Sequence, residues 1–244
     1  MSLRKIFLKT KFTYKIYLYY NLYIRHKCFI KKKQYSQWGE DLFIDGFFKN
    51  KNNGTYLDIG CFHPYMYSNT CLLHKKGWSG INIDINQTSI DLFNIVRPND
   101  TNICAAINDK KKEFKVYFDD PFSPVNTINQ KFYESLKKSF FKNKQILTVQ
   151  SKTIQEILNT GKIESIIDFI NIDAEGLDFE ILKQINLSKY KVKLLSIETH
   201  NVDGSKTEHF DSIKKFLEKN NYSILKRVGP TTLFALNSYN SINR

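Results

Sequence analysis

None of the four cysteines, Cys28, Cys61, Cys71 and Cys104, stands in a C-x-x-C pair with another, so the chain offers neither the spacing of a zinc site nor a disulfide framework. A reducing compartment is the expectation. No apolar run is long enough to cross a bilayer, and the N-terminus lacks the uninterrupted apolar stretch of a secretory signal, which points to a cytoplasmic protein. No Gly/Ser-rich linker and no internal repeat divides the 244 residues, enough for one well-packed α/β domain and too few for two of ordinary size. Acid is missing from one region: residues 1–36 carry ten Lys or Arg and no Asp or Glu.

That absence locates the charge. The formal net charge is +13, so the tail's ten cations leave only +3 for residues 37–244. The body is nearly balanced, and basic character belongs to the tail. Phe7, Phe12, Tyr14, Tyr17, Tyr19, Tyr20, Tyr23, Phe29 and Tyr35 are interleaved with those cations. Such a segment suits an anionic membrane surface or nucleic acid; the alternative is a helical extension that packs its aromatics on the body. The first reading makes residues 1–36 a removable localising extension ahead of a catalytic domain at 37–240.

Two strands carry the chemistry. Thr55-Tyr56-Leu57-Asp58-Ile59-Gly60 is a short apolar strand ending in an acid and a glycine, and the following strand, Gly80-Ile81-Asn82-Ile83-Asp84, ends in another acid. In a doubly wound sheet the first strand turns over a nucleoside cofactor at a glycine, and the acid ending the second accepts hydrogen bonds from ribose hydroxyls. The turn here, Gly60-Cys61-Phe62-His63-Pro64, lacks the further glycines that a pyrophosphate requires. A dinucleotide is therefore disfavoured, and a cofactor with a ribose but no phosphate, such as S-adenosylmethionine, fits better.

Periodicity and chain breakers predict helices over 40–48, 69–76, 89–96 and 153–158, and strands over 55–59, 81–85, 102–107, 114–118, 146–150, 166–172 and 193–197. Leu177, Ile181, Leu182 and Ile185 mark one further helix; Phe210, Ile213, Phe216 and Leu217 mark another. Segments 222–227 and 231–236 read as a hairpin across Gly229-Pro230. The fold class expected is α/β: a Rossmann-like, doubly wound, mostly parallel sheet closed by a C-terminal antiparallel hairpin, the class I methyltransferase arrangement. The irregular segment 119–145, with Pro121 and Pro124, is the expected lid or substrate-facing insertion.

Ser36-Gln37-Trp38-Gly39-Glu40-Asp41, Leu57-Asp58-Ile59-Gly60 with His63-Pro64 and Ser68-Asn69-Thr70, Gly77-Trp78-Ser79-Gly80-Ile81-Asn82-Ile83-Asp84, and Ile170-Asn171-Ile172-Asp173-Ala174-Glu175-Gly176 together resemble the FkbM-type methyltransferases over residues 36–236. The D-x-E-G segment is the most specific element. The resemblance implies S-adenosylmethionine as methyl donor and, usually, an oxygen nucleophile on a sugar or natural product. Asp58 and Gly60 match the cofactor loop, Asp84 the ribose-binding acid, and Asp173, Glu175 and Gly176 the D-x-E-G segment.

Asp173, Glu175, Glu198 and His200 follow neighbouring parallel strands and are the catalytic candidates. His200 is the first choice of general base by intrinsic pKa, with Asp173 or Glu175 orienting it or acting as base. The same four can hold a divalent cation that lowers the pKa of a substrate hydroxyl; the plainer reading is that Asp173 caps the next helix and Glu175 sits on its positive end. Cofactor-binding candidates are Asp58, Gly60, Ser68, Asn69, Asp84, Ile85, Ala106 and Asp173. Ser68 and Asn69 are also expected to cap the second helix, Trp78 to pack a helix–strand corner, and Gln37, Glu40 and Asp41 to reach the crevice or cap their helix. His63 touches substrate or only shapes its loop; His26, His74 and His209 are expected to be solvated. Three functions remain open: a small-molecule or glycan O-methyltransferase, an RNA methyltransferase, and a nonenzymatic S-adenosylmethionine-binding scaffold. Nucleic acid is the less favoured partner, since the body lacks a basic excess and any N-P-P-Y-type segment for a flipped base.

Overall fold

The computed structural model describes residues 10–110, 113–118, 134, 145–163, 166–174 and 176–240. Helix α1 (Lys11–Tyr20) runs into a π-turn at Asn21–Arg25, and α2 (Glu40–Phe47) precedes the first strand. Then follow β1 (Thr55–Ile59), α3 (Cys71–Lys75), β2 (Ser79–Asp84), α4 (Gln87–Val96), β3 (Thr101–Cys104), β4 (Ala106–Ile107), β5 (Glu113–Phe118) and β6 (Gln145–Lys152). The second half comprises α5 (Ile154–Thr160), β7 (Phe169–Ile172), α6 (Asp178–Gln184), α7 (Leu187–Tyr190), β8 (Leu194–Glu198), α8 (Phe210–Lys219), β9 (Tyr222–Val228), β10 (Thr231–Leu236) and α9 (Asn237–Asn240).

Seven strands form one sheet in the order β3-β2-β1-β7-β8-β10-β9, parallel from β3 to β8 and closed by antiparallel β10 and β9. This is the class I methyltransferase sheet expected from the closing hairpin. Its two faces are covered differently. Leu57, Ile59, Ile81, Ile83, Ile170 and Ile172 pack under Ile157, Ile181 and Leu217, whereas Tyr56, Phe169, Leu194 and Leu233 meet Ile44, Phe48, Leu73 and Trp78 on the other side. Alternate residues of β1 and β7 thus serve opposite layers, as the pleat requires. Trp78 fills the expected corner, its indole donating to the Lys51 carbonyl.

Three local expectations are corrected. The strand expected over 102–107 breaks at Ala105, because β4 leaves the main sheet to join β6 and β5 in a second, three-stranded sheet. The strand expected from 166 starts at Phe169; just before it, the buried Asp168 side chain accepts from Lys51, Lys193 and the Thr55 amide. The helix expected from 69 starts at Cys71 behind Thr70; Ser68 and Asn69 do not cap it, because other partners hold their side chains. The expected lid at 119–145 lies almost wholly outside the described residues.

The tail follows the packing alternative where it is described. Tyr17, Leu18 and Leu22 are buried, Leu18 and Leu22 against Leu92 with Ile95, Val96 and Tyr65 alongside, and the Tyr14 hydroxyl donates to Asp91 (2.7 Å) on α4. Thr10 and Thr13 close a capping box at the start of α1. A segment anchored this way is not a removable extension. Leu22, fully buried, is the critical contact: Leu22→Ala is expected to cost about 2–5 kcal/mol, as buried leucine truncations do, and deletion of residues 1–36 to lower Tm further by baring Leu92. Thermal unfolding checks both, and an unchanged Tm in either variant contradicts the packing.

Candidate functional site

The site begins with a polar row inside the sheet. Register places Asn82, Asp58, Asn171 and Ser196 side by side on β2, β1, β7 and β8, all buried and each flanked by apolar neighbours in its own strand. A buried carboxylate without partners would be strongly destabilising, and Asp58 has several. Thr70 donates to one oxygen (2.6 Å) and Asn171 to the other (3.0 Å). Burial still raises its carboxyl above the usual range, opposed by Thr70, nearby Arg97 and Asn171. At 1% exposure Asp58 has no open face to offer a ligand.

Arg97 covers this row. It ends α4, is fully buried, and donates to Thr70 Oγ1 (2.8 Å), the Pro64 carbonyl (2.8 Å), Ser68 Oγ (3.1 Å) and Tyr56 Oη (3.2 Å). Tyr56 in turn donates to Asp100, which also accepts from Asn82 (2.9 Å). Loss of water opposes the guanidinium charge, yet Tyr56, Cys71, Asp58 and Asp100 outweigh it. The turn from 60 to 70 is therefore nailed to the sheet from beneath. Phe62 and Tyr67 hold positive φ (50° and 57°) within it, and His63 accepts the Tyr65 and Met66 amides on Nδ1. His63 shapes its loop: burial, with His26 and Arg97 nearby, lowers its pKa to about 3, so it stays neutral.

The carboxyl ends of β1, β2 and β7 converge above the row. The Gly60 and Cys61 amides both donate to the Ile83 carbonyl, and the Asp173 amide donates to the Ile59 carbonyl. Gly60 sits at φ +77°, and a Cβ there would lie 1.8 Å from the Asp173 carbonyl oxygen. Its glycine is required by that close approach of two chain segments. Asp84, half-buried at the end of β2, accepts from the Phe62 amide (2.9 Å) and the Asn86 amide (2.7 Å), while burial raises its carboxyl to about 6 against the lowering by those amides.

Acids gather beside it. Asp173 is open to solvent at its surface, yet its carboxyl is pushed well above the usual range, first by loss of water and then by Glu198, Asp178, Asp58 and Glu40. Loss of water and like charge act in the same direction here, both disfavouring the ionised carboxyl. Asp173 caps no helix; Asp178 holds the loop, accepting the Ala174 and Gly176 amides. Glu40 is buried, accepting from the Trp38 amide and from Thr231, and Asp41 holds the Tyr35 amide and Ser36 hydroxyl. Both secure the start of α2. Glu175 lies outside the described residues.

His200 departs from expectation. Its Nδ1 shares a hydrogen with Thr199 (2.9 Å), Thr199 bonds Thr232 (2.6 Å), and its ring meets Phe210 edge-on. Burial, Arg227 and Lys206 hold its pKa down, so its orienting partner is a hydroxyl where a carboxylate was expected. The alternative of a cation on this cluster is not supported: among the described residues, which leave out Glu175, no three His, Cys, Asp or Glu side chains gather to hold a metal ion. Ile85 borders Asp84 half-buried, whereas Ala106 is buried in β4. His74 is half-buried 3.9 Å from Asp100 and His26 lies against His63, so neither is simply solvated. Arg97 and Asn171 were missed by motif reading, although the triplets Leu57-Asp58-Ile59, Ile81-Asn82-Ile83, Ile170-Asn171-Ile172 and Leu195-Ser196-Ile197 repeat one polar residue between apolar ones.

The arrangement fits a ligand that carries a ribose and positive charge: Asp84 is a half-exposed acceptor, and the acids around Asp173 favour a cation. The chain is similar to the 16S rRNA methylase ArmA (13% identity, 96% of this chain and 91% of that one, TM-score 0.36). It is also similar to the METTL16 MTase domain (12% identity, 81% and 66%, TM-score 0.38) and to a human methyltransferase 10 domain containing protein (12% identity, 80% and 78%, TM-score 0.34). Among curated proteins none matches. Residues 52–224, more than half the chain, match the methyltransferase FkbM domain, and the protein belongs to that family of methyltransferases.

Proposed function

We propose that this methyltransferase uses S-adenosylmethionine to methylate a hydroxyl oxygen of a sugar or other small molecule, with Asp173 as the proton acceptor. The observation that carries the reading is the Asp173 carboxyl, open at the end of β7 and raised well above the ordinary carboxylate range by loss of water and by its acidic neighbours. A carboxylate of ordinary pKa is a weak base; a raised one is better suited to taking a hydroxyl proton as oxygen attacks. The bound cofactor supplies an electrophilic sulfonium methyl, which leaves sulfur as a neutral thioether while the new O–C bond forms.

The chain's own residues divide the remaining work. Asp84 accepts from the ribose hydroxyls, with Ile85 beside it. Gly60 brings the end of β1 against Asp173, while Asp58, Ser68 and Asn69 act from beneath: their bonds to Thr70, Arg97 and Asn171 fix the turn that Asp84 and Phe62 close. Glu198 and Glu40 add negative charge that favours the net positive cofactor and keeps Asp173 basic. His200, held by Thr199 under Arg227 and Lys206, serves acceptor positioning.

Asp84 gives a pH signature. Ribose hydroxyls donate to the ionised carboxylate, whose pKa of about 6 lies above the ordinary value. Affinity for S-adenosylmethionine is therefore expected to be full above that pH and to fall below it by up to about tenfold per pH unit, with Asp84→Asn weak and flat throughout. Calorimetric titration between pH 5 and pH 8 reads this, and a pH-independent wild type removes Asp84 from the site.

Asp173 gives a rate signature. With a radiolabelled cofactor and a panel of hydroxylated acceptors, Asp173→Asn is expected to slow transfer ~10²-fold while leaving cofactor affinity nearly unchanged, whereas His200→Gln stays within about tenfold of wild type. EDTA should leave turnover intact. Normal turnover by Asp173→Asn, or acceptance of RNA and no hydroxylated small molecule, overturns the proposal.

A further inference from the structure

Helix α1 and its π-turn have two apolar faces, and the body uses only one. Tyr14, Tyr17, Leu18 and Leu22 turn inward onto α4 and its surroundings. Phe12, Ile16, Tyr19, Tyr20, Tyr23 and Ile24 turn outward and are between 44% and 74% exposed. Their spacing of three and four residues makes them one stripe along the helix, with Tyr19 and Tyr23 stacked ring to ring (5.9 Å). A contiguous exposed apolar face of this kind on a folded body marks a contact surface. Lys11, Lys15, Arg25, Lys27, Lys31, Lys32 and Lys33 are exposed in the same segment, and residues 1–36 contain no acid.

We propose that this outer face docks the enzyme on an anionic lipid surface, with the stripe lying in the headgroup boundary and the lysines on lipid phosphates and carboxylates. Charge complementarity selects the occupant. Tyrosines flanked by phenylalanine and isoleucine suit the polar–apolar boundary of a bilayer, where aromatic rings settle and lysine stems reach outward. Single-stranded nucleic acid would stack on the tyrosines but gain little from Ile16 and Ile24. Peripheral docking is the mode available: among the described residues no helix is long and apolar enough to cross a membrane. The inner face makes this docking rigid, since the Phe29 ring past the π-turn meets Tyr67 in the turn of residues 60–70 (6.3 Å).

Deleting the tail cannot serve as the test, because the inner face belongs to the core. The variant Ile16→Ser/Tyr19→Ser/Ile24→Ser alters only exposed positions, and Lys31→Gln/Lys33→Gln removes exposed charge while leaving Lys32 over the Phe29 ring (3.9 Å). Full-length wild type is expected to co-sediment with vesicles of phosphatidylcholine and phosphatidylserine at low salt and to be released by salt. Both variants should bind on the order of tenfold more weakly or worse, with Tm and S-adenosylmethionine affinity unchanged. Wild-type binding by the stripe variant overturns the proposal, as does no sedimentation of the wild type. So does a wild-type dimer that the stripe variant converts to monomer, which would mean a second copy covers the face, or displacement from vesicles by oligonucleotide at equal charge.

Discussion

A charged arginine buried beneath the turn of residues 60–70 is the constraint on which the rest of this structure depends. Arg97 is enclosed on every side, and its charge is tolerable because Tyr56, Ser68, Thr70 and the Pro64 carbonyl accept its hydrogens while Asp58 and Asp100 stand near. Removing one side of such a network leaves the other as an uncompensated charge in a medium of low dielectric, which is far costlier than removing both. Asp58 and Arg97 therefore act as one unit. Through Thr70 they decide where residues 60–70 lie, and through Asn82 and Asn171 they fix three adjacent strands in one polar row.

The proposed site sits one layer above. Gly60 and the Asp173 backbone can approach only because the row beneath holds β1 against β7, and the same turn delivers the Phe62 amide to Asp84. The crowding that raises Asp173 follows from this: strand ends that converge bring Asp58, Asp178, Glu198 and Glu40 around a single carboxyl. Negative charge concentrated at one point is unfavourable in the empty protein, and a cationic ligand would relieve it.

How much of this was legible followed from the physics of each signal. The parallel sheet, its closing hairpin and the acids at the ends of β1 and β2 were readable, because apolar runs, breakers and terminal acids are local patterns. The register of Asn82, Asp58, Asn171 and Ser196 is a cross-strand fact that no single window contains, although the repeated apolar–polar–apolar triplet was its trace. Arg97 precedes Pro98 and reads locally as a helix end. His200 is a different case: its intrinsic pKa recommended it as a base, while burial, Arg227 on β9 and Lys206 bridged to it lower that pKa, a setting its own strand does not reveal. The expected strands stop short at Asp168 and Ala105, where a buried ion pair and a change of sheet are tertiary features.

Helix α4 ties these parts into one mechanical unit. Its first turn is set by Asn86, whose amide is held by Asp84; its middle carries Leu92, on which Leu18 and Leu22 of the tail rest; its end is Arg97. A small displacement of the tail would shift α4, and that would move both Asp84, the proposed ribose acceptor, and the arginine under the turn. Aromatics that would be wasteful in a disposable extension make sense in this position. The inner ring set fastens α1 to the helix that organises the turn of residues 60–70, and the outer set remains free to meet a surface. A docked enzyme would then present its crevice in a fixed orientation, because no hinge separates the docking face from α4 where α1 rests on it.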